Sequence, residues 1–595
     1  MQSTTWYKRF LIWRVRHISE TSFTLVLSVC VGLCTGVAAV LLKTLVHRIN
    51  RWLLLAGNVF FSGVDMMMLI YPAIGILLTV LFVRYVAGGS IGHGLPTVLL
   101  SLSRHKGILP QRNMYTSMVA STLTVAFGGS VGLEAPIVST GSAIGSNIGR
   151  LFHLNTHNVK LLLGCGASGA IAGIFQAPLA GVLFAVEVFM FDLTMTSTIP
   201  LLLSALSASS LAYFFMGADV QFAFQVVEPY QLSQFPFYVV LGIFCAGSSL
   251  FFLRSTEAVE RWFASRGVAT RILCGSLLLG VLIFLFPPLF GEGYDFLSDL
   301  LHGTSDRLFA HSLFLPLQHR PWAVLLFLFL LIPLKGIATA ATIGAGGVGG
   351  TFGPSLVIGG ISGYFVATLC NQLGLPPQSE ANFALVGMAA VMSGVMHAPF
   401  MATFLIAEIT GGYALMMPLL IAVVVTYLCV SPFEKHSIYA RSLAMQGDLM
   451  THDKDSSALQ FMDIRKLIET NFVIVRQGDS LRELVDAIQN SKRNIFPVLT
   501  ADDKFLGVIV LDDVRRIMFR TDLYNAYMVE DLMHPLSEGD IVRTSDTPTD
   551  IVNKFKVGNR YNLIVIDEED NYLGFLSRAN MFSAYRRFVS EISEA

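Results

Sequence analysis

One pattern of thirteen residues occurs twice in this chain, each time inside a long apolar run. Gly166-Ala-Ser-Gly-Ala-Ile-Ala-Gly-Ile-Phe-Gln-Ala-Pro178, running on to Glu187, is matched 221 residues later. The second copy is Gly387-Met-Ala-Ala-Val-Met-Ser-Gly-Val-Met-His-Ala-Pro399, running on to Glu408. Just upstream, Gly132-Leu-Glu-Ala-Pro136 with Gly141 and Gly145 is matched 218 residues later by Gly350-Thr-Phe-Gly-Pro354 with Gly359 and Gly363. Two blocks recurring in order at nearly one spacing outweigh a chance likeness of Gly/Ala-rich helices. Duplicated apolar halves, interrupted by Gly and Pro at matching places, predict two inverted-topology repeats with broken helices and a site between them.

The charge distribution says what solvates the chain. Only 14% of the 595 residues are charged, and the mean hydropathy is +0.62. About a quarter is usual for a soluble domain. Residues 1–449 hold 17 acidic and 22 basic residues, whereas the much shorter 450–595 holds 24 and 18. The first part therefore reads as a lipid-solvated, polytopic α-helical body and the second as a water-soluble α+β module. A wholly soluble enzyme is excluded, and neither part is basic enough to imply a nucleic-acid partner. Apolar segments lie at 21–42, 67–86, 159–191, 199–217, 237–253, 271–291, 323–341, 383–409 and 414–430. Residues 1–20 form a short N-terminal segment, and its Lys8, Arg9, Arg14 and Arg16 predict a cytoplasmic N-terminus ahead of a retained first helix. The seven cysteines, all before residue 449 and none in a C-x-x-C pair, read as small buried hydrophobes rather than disulfides or metal ligands.

Gly92-His-Gly-Leu-Pro96, Gly132-Leu-Glu-Ala-Pro136 and Gly350-Thr-Phe-Gly-Pro354 interrupt the apolar sequence. Each offers glycine, where backbone can approach a ligand, and proline, where a helix can begin. Helix N-termini present unpaired N–H groups and about half a positive charge. Several meeting within a membrane would bind an anion without a cationic side chain, tightly enough to enter and weakly enough to leave.

These three motifs resemble the G-S-G-I-P, G-R-E-G-P and G-x-F-x-P signatures of the CLC family of chloride channels and chloride/proton exchangers. Tyr439, in Ser437-Ile-Tyr-Ala-Arg441, matches that family's pore tyrosine. The resemblance implies a membrane domain over 21–449, with repeat halves at roughly 21–217 and 237–445, and a homodimer in a lipid bilayer, favoured to be the plasma membrane, with one pore per subunit. It implies chloride or a similar monovalent anion at His93, Gly94, Leu133, Ala135, Thr351, Phe352 and Tyr439. Glu134 would be the gate: ionised it fills the anion site, protonated it leaves. His93 replaces the family's serine and Leu133 its arginine. His93 could donate a ring N–H to the anion. Glu187 and Glu408, being repeat-equivalent, are expected to cap or pack helices. The family's exchangers carry a proton-passing glutamate after the position of Glu187; here that residue is Val188, with Asp192 the next acid, so uncoupled conduction is favoured over chloride/proton antiport.

The tail has a repeat of its own. Phe496-Pro-Val-Leu-Thr-Ala-Asp-Asp-Lys-Phe-Leu-Gly507 aligns at an offset of 67 with Leu563-Ile-Val-Ile-Asp-Glu-Glu-Asp-Asn-Tyr-Leu-Gly574. Each copy reads as strand, acidic turn, strand and helix, after an amphipathic helix at 481–490 or 549–557. This resembles a tandem CBS pair, here about 450–528 and 529–590 and expected to be cytoplasmic. In that family a Ser/Thr and an Asp after the second strand hold an adenosine ribose. The first copy has Val510 and Asp513, the second Ser577 and Asn580. Each keeps half the pattern, so a structural, dimer-forming role is favoured over adenine-nucleotide binding, and no cofactor or metal is required.

Two other classes compete. A CBS-regulated divalent-cation transporter needs carboxylates or carbonyls converging within the membrane, but helix N-termini repel cations. A membrane enzyme needs a catalytic set, and the chain has no H-E-x-x-H or G-x-S-x-G motif.

Overall fold

The computed structural model describes residues 6–60, 66–88, 94–191, 194–217, 229–302, 309, 312, 314–317, 320–446, 464–535, 537–558 and 561–593. His93 and Asp192 thus lie outside the described residues. The chain divides into two compact units, Met1–Leu449 and Met450–Ala595.

The first half of the first unit holds α1 (Trp6–His17), α2 (Glu20–Phe60), α3 (Tyr71–Tyr85), α4 (Leu95–Ser103), α5 (Asn113–Ala126), α6 (Glu134–Leu151), α7 (Thr156–Phe175), α8 (Pro178–Val188) and α9 (Met195–Met216). The second holds α10 (Phe235–Ala264), α11 (Val268–Leu285), α12 (Tyr294–Leu301), α13 (Pro321–Gly344), α14 (Phe352–Gln372), α15 (Glu380–Met396), α16 (Pro399–Ile409), α17 (Met416–Val430) and α18 (Arg441–Gln446). Eight of the described helices are long and apolar enough to cross a membrane. Their outward faces are apolar: along α2, Leu33, Val37, Leu41 and Leu45 recur every fourth residue and are exposed, while Val31, Thr35, Ala39 and Leu42 are buried. That is the arrangement expected where lipid replaces water. It also corrects the expectation for the cysteines, because Cys30 and Cys34 on α2 are exposed, although all seven are free.

Packing repeats with the sequence. In the first half α6 lies on α7, α7 on α2 and α9, and α2 on α9; in the second, α14 lies on α15, α15 on α10 and α17, and α10 on α17. Glycines set the first of these contacts. Gly141 meets the Gly166 carbonyl and Gly145 that of Leu162, just as Gly359 meets Gly387 and Gly363 meets Phe383. Lipid gives apolar helices little reason to associate, so close backbone approach through small residues carries the packing.

Segments 159–191 and 383–409 read as continuous in the sequence, but each is two helices. α7 stops at Gln176 and α15 at His397, both in the left-handed region with φ of 57° and 55°. Pro178 and Pro399 then open α8 and α16. Proline suits a first turn, where its missing N–H is no loss, and would clash inside a continued helix.

The halves are tied by reciprocal hydrogen bonds. The Phe400 and Met401 amides donate to the Glu187 carboxylate at 3.1 and 2.6 Å, and those of Leu179 and Ala180 to Glu408 at 3.0 and 2.8 Å. Each glutamate, near the end of one short helix, caps the start of the other, so α8 and α16 lie antiparallel. Nearer the centre, Ser130 N donates to Thr342 Oγ1 at 3.2 Å and Val348 N to Thr124 Oγ1 at 3.0 Å.

The second unit contains β1 (Ile468–Glu469), β2 (Val475–Arg476), β3 (Ile495–Leu499), β4 (Phe505–Val510), β5 (Ile541–Arg543), β6 (Asn562–Ile566) and β7 (Tyr572–Ser577). The sheets run β2-β3-β4 and β1-β7-β6-β5. In each, one parallel pair precedes an antiparallel hairpin with a register shift at equivalent places, Val498/Leu499 and Val565/Ile566. Helices Leu481–Gln489 and Pro548–Gly558 precede the hairpins, as the repeat predicts. Phe472, Val508, Ile564 and Phe575 form the apolar seam joining the copies.

Candidate functional site

Three helices begin close together in the first unit. α6 starts at Glu134 behind Leu133, α14 at Phe352 behind Thr351, and α4 at Leu95 behind Gly94, whose φ is +60°. Gly132 and Gly350 pair just ahead of α6 and α14, each amide donating to the other's carbonyl at 2.8 Å. Ala135 lies against Gly350 and near Gly94.

Glu134 sits at this junction and is 1% exposed. Its Oε2 accepts from the Gly353 amide at 3.2 Å, and its Oε1 accepts from the Tyr294 hydroxyl in a short hydrogen bond. The carboxylate of one half thus rests on the first turn of α14 in the other, where amides are unpaired and the dipole is positive. Glycine leaves room for the carboxylate on both sides. A methyl group on Gly132 would strike the Glu134 carboxylate, and one on Gly353 would stand 3.0 Å from the Tyr294 hydroxyl oxygen.

Phe352 is fully buried and stacks on Phe175 at 5.5 Å between ring centres. Thr351 Oγ1 donates to the Tyr439 hydroxyl at 3.4 Å, and Tyr439 is buried. The tyrosine's segment is clamped by Arg441, which reaches Glu257 at 2.8 Å and Glu434 at 3.2 Å. A planar guanidinium between two carboxylates fixes orientation as well as charge.

Around Glu134 lies a charge cluster that the sequence reading did not single out. Leu133 N donates to Glu292 Oε1 at 3.2 Å. Lys335, fully buried in α13, donates to Ser130 Oγ and to the Gly291 carbonyl, both at 2.9 Å. Lys43 on α2 and Lys335 both interact electrostatically with Glu292. Unlike the glycine motifs, Gly291-Glu-Gly-Tyr294 is not repeated. The available signal was a lysine in the middle of an apolar helix and a carboxylate at the edge of an apolar segment, both expensive in lipid.

The structure brings Gly94, Leu133, Glu134, Ala135, Thr351, Phe352 and Tyr439 to one place. Val188 is elsewhere, buried at the end of α8 beside the capping Glu187. In the second unit Asp513 Oδ2 lies 3.0 Å from His534 Nε2. Ser577 Oγ accepts from the Asn580 amide at 3.5 Å, and the Asn580 side chain donates to Glu469 at 2.6 Å. Among the described residues no group of three or more His, Cys, Asp or Glu could hold a metal ion.

The family model described as voltage gated chloride channel matches residues 74–431, and the CBS domain model matches 464–520. A putative chloride channel protein ClcB-like from Ralstonia nicotianae is 29% identical over 391 residues, covering 64% of this chain and 86% of its own. Chloride channel protein CLC-e from Arabidopsis thaliana is 26% identical over 557 residues, covering 82% of this chain and 75% of its own. Among solved structures, a slow cyanobacterial Cl−/H+ antiporter superposes with a TM-score of 0.60 at 25% identity, over 71% of this chain and 97% of its own. That family comprises channels and transporters rather than enzymes, and this chain, a membrane protein with a C-terminal CBS region, belongs to it.

Proposed function

We propose that this protein conducts chloride or a similar monovalent anion across a membrane, through a path in each subunit of a homodimer, with Glu134 as the gate. The observation that carries the reading is the Glu134 side chain itself: an acidic group, sealed from solvent, resting on the Gly353 amide where helix N-termini converge. A site that holds a carboxylate there can hold a halide once the carboxylate is neutralised and swings away. The anion would then meet the first turns of α4, α6 and α14, at Gly94, Leu133, Ala135, Thr351 and Phe352, with the Tyr439 hydroxyl and the His93 ring. The likeness to chloride channel proteins of Ralstonia nicotianae and Arabidopsis thaliana supports chloride. The basic N-terminal residues support a cytoplasmic N-terminus and CBS pair, in a cell membrane.

Uncoupled conduction is favoured because Val188 cannot carry a proton. The second reading, chloride/proton antiport, is favoured by the likeness to the cyanobacterial antiporter. Chloride flux in liposomes tests the gate. Glu134→Gln is expected to keep or raise flux and to make its pH response shallower, because glutamine mimics the protonated gate and does not titrate. A mutant with the parent's full pH response removes Glu134 from that role. An outward chloride gradient that drives sustained uphill proton movement would replace conduction with antiport.

A further inference from the structure

Two carboxylates, not one, occupy the amides where α6 and α14 begin. Glu134 takes the Gly353 amide, and Glu292 takes the amide of Leu133, the residue that precedes Glu134 and caps α6. The loop carrying Glu292 is held on three sides. Gly291 N donates to the Gly128 carbonyl at 3.2 Å, Lys335 holds the Gly291 carbonyl, and Tyr294 donates to Glu134. Glu292 is only half-buried, whereas Glu134 is sealed.

We propose that Glu292 is a second gating carboxylate, which closes the α6 end of the path by holding the Leu133 amide and releases it on protonation. The inference rests on Glu134 being the gate at the α14 end. A backbone amide has one hydrogen, so while Leu133 N–H points at Glu292 it is not available to an anion. An ionised carboxylate also repels an arriving halide, whereas a neutral carboxyl is a weaker acceptor and carries no charge.

The groups facing Glu292 make this a balanced switch. They are Glu134 on α6, Tyr294 on α12, Lys43 on α2 and Lys335 on α13, with Tyr439 facing Glu134 and Tyr294. In their formal ionised states, Glu134 and Glu292 offset Lys43 and Lys335. Each proton taken up leaves one more positive charge uncompensated, which favours an anion in place of the departed carboxylate. Because both amides must be vacated, opening takes up two protons, and flux rises on acidification with a slope of about two rather than one.

Chloride flux from full-length protein in liposomes, measured as a function of pH, tests this. The parent should show a slope of about two, Glu134→Gln and Glu292→Gln about one each, and the double mutant the shallowest response of the four. Glu292→Asp retains a titrating group and should keep the steep slope with a shifted midpoint. A parent slope of about one, or a flat Glu134→Gln response, would overturn the second gate. A Glu134→Gln slope unchanged at about two would instead overturn the reading of Glu134. If Glu292→Gln cannot be purified folded, the parent and Glu134→Gln slopes decide alone.

Discussion

Gly132 and Gly350 exchange both of their backbone hydrogen bonds at 2.8 Å, and they are the same position of the two repeats, 218 residues apart. Thr124 and Thr342 stand at the same separation, each holding the loop of the opposite half. The centre of the fold is therefore a symmetric frame of backbone and hydroxyl groups. Two residues beyond the glycines the symmetry fails: Glu134 faces the other half where its equivalent is Phe352. Glu292 and Lys335 have Ile74 and Ser117 as their counterparts at that spacing. Glu187 and Glu408 keep matching charges in the two halves, whereas at the centre Glu134, Glu292 and Lys335 depart from the duplication.

The glycine contacts between α6 and α7 and between α14 and α15 should be intolerant of a single methyl group. A β-carbon on Gly145 would overlap the Leu162 carbonyl, and one on Gly363 the Phe383 carbonyl; both are backbone and neither can rotate away. Gly145→Ala and Gly363→Ala are each expected to destabilise by about 1–3 kcal/mol, the usual range for overpacking. Gly247→Ala, with nothing within 4 Å, is the control and should be neutral or slightly stabilising. Thermal unfolding in one detergent compares the three. Equal midpoints would show that the helices separate freely to admit the methyl.

Glu187 and Glu408 should behave as a matched pair of caps. Each carboxylate serves two amides of the opposite short helix, so removing either leaves two donors unpaired at a helix start. Glu187→Ala and Glu408→Ala are expected to cost about 0.5–2 kcal/mol each. Glutamine, which keeps one acceptor oxygen, should recover part of that. Melting temperatures of the four variants give the ranking. Alanine variants as stable as the parent would deny the capping role.

The repeat, the interrupted helices and the residues at the three helix starts were all legible in the sequence, because glycine and proline act through local backbone geometry. The break after Gln176 is missed by a hydropathy reading, which runs straight through it, although Pro178 marks the place. Glu292 and Lys43 were not legible in the same way. Their meaning depends on which helices come together, and Glu292 is 158 residues from Glu134 in the chain. Thr124 and Thr342 carry no signal in the sequence, because threonine in an apolar helix is ordinary and only the partner loop makes it an anchor.

The second unit should weaken in mild acid. Ser480, through its amide and then its hydroxyl, holds the Glu483 carboxyl below its usual value. The Thr547 hydroxyl and then its amide do the same for Asp550, and the Asn571 side chain for Asp567. A lowered folded value means these contacts stabilise fully above the ordinary carboxylate range, near about pH 4, and are lost as pH falls through the lowered values. Hydrogen-exchange protection in 464–593, corrected for the intrinsic rate, should therefore decline as pH drops from about 5 to about 3. The triple variant Glu483→Gln, Asp550→Asn and Asp567→Asn should start less protected at neutral pH and decline less. An identical acid response in parent and triple variant would assign the weakening to other groups.

Adenine nucleotide should not bind the second unit with ordinary CBS affinity. Of the residues that could hold a ribose, Asp513 is engaged by His534, and the Asn580 side chain is taken by Glu469 at 2.6 Å. Glu469 is in turn paired with Arg493 at 2.6 Å, whose guanidinium also lies 4.8 Å from the centre of the Phe472 ring. A nucleotide would have to break the Asn580 contact and leave a carboxylate facing an anionic phosphate, with only Ser577 free of a charged partner in that half. Calorimetric titration of the full-length protein with adenosine triphosphate should show no saturable heat at concentrations up to about 1 mM, which corresponds to binding weaker than about −4 kcal/mol. Glu469→Ala frees Asn580 and removes the repulsion, so any residual site should tighten in that variant. Saturable micromolar binding to the parent, abolished by Asp513→Ala or Ser577→Ala, would make the pair a nucleotide sensor instead of a structural element.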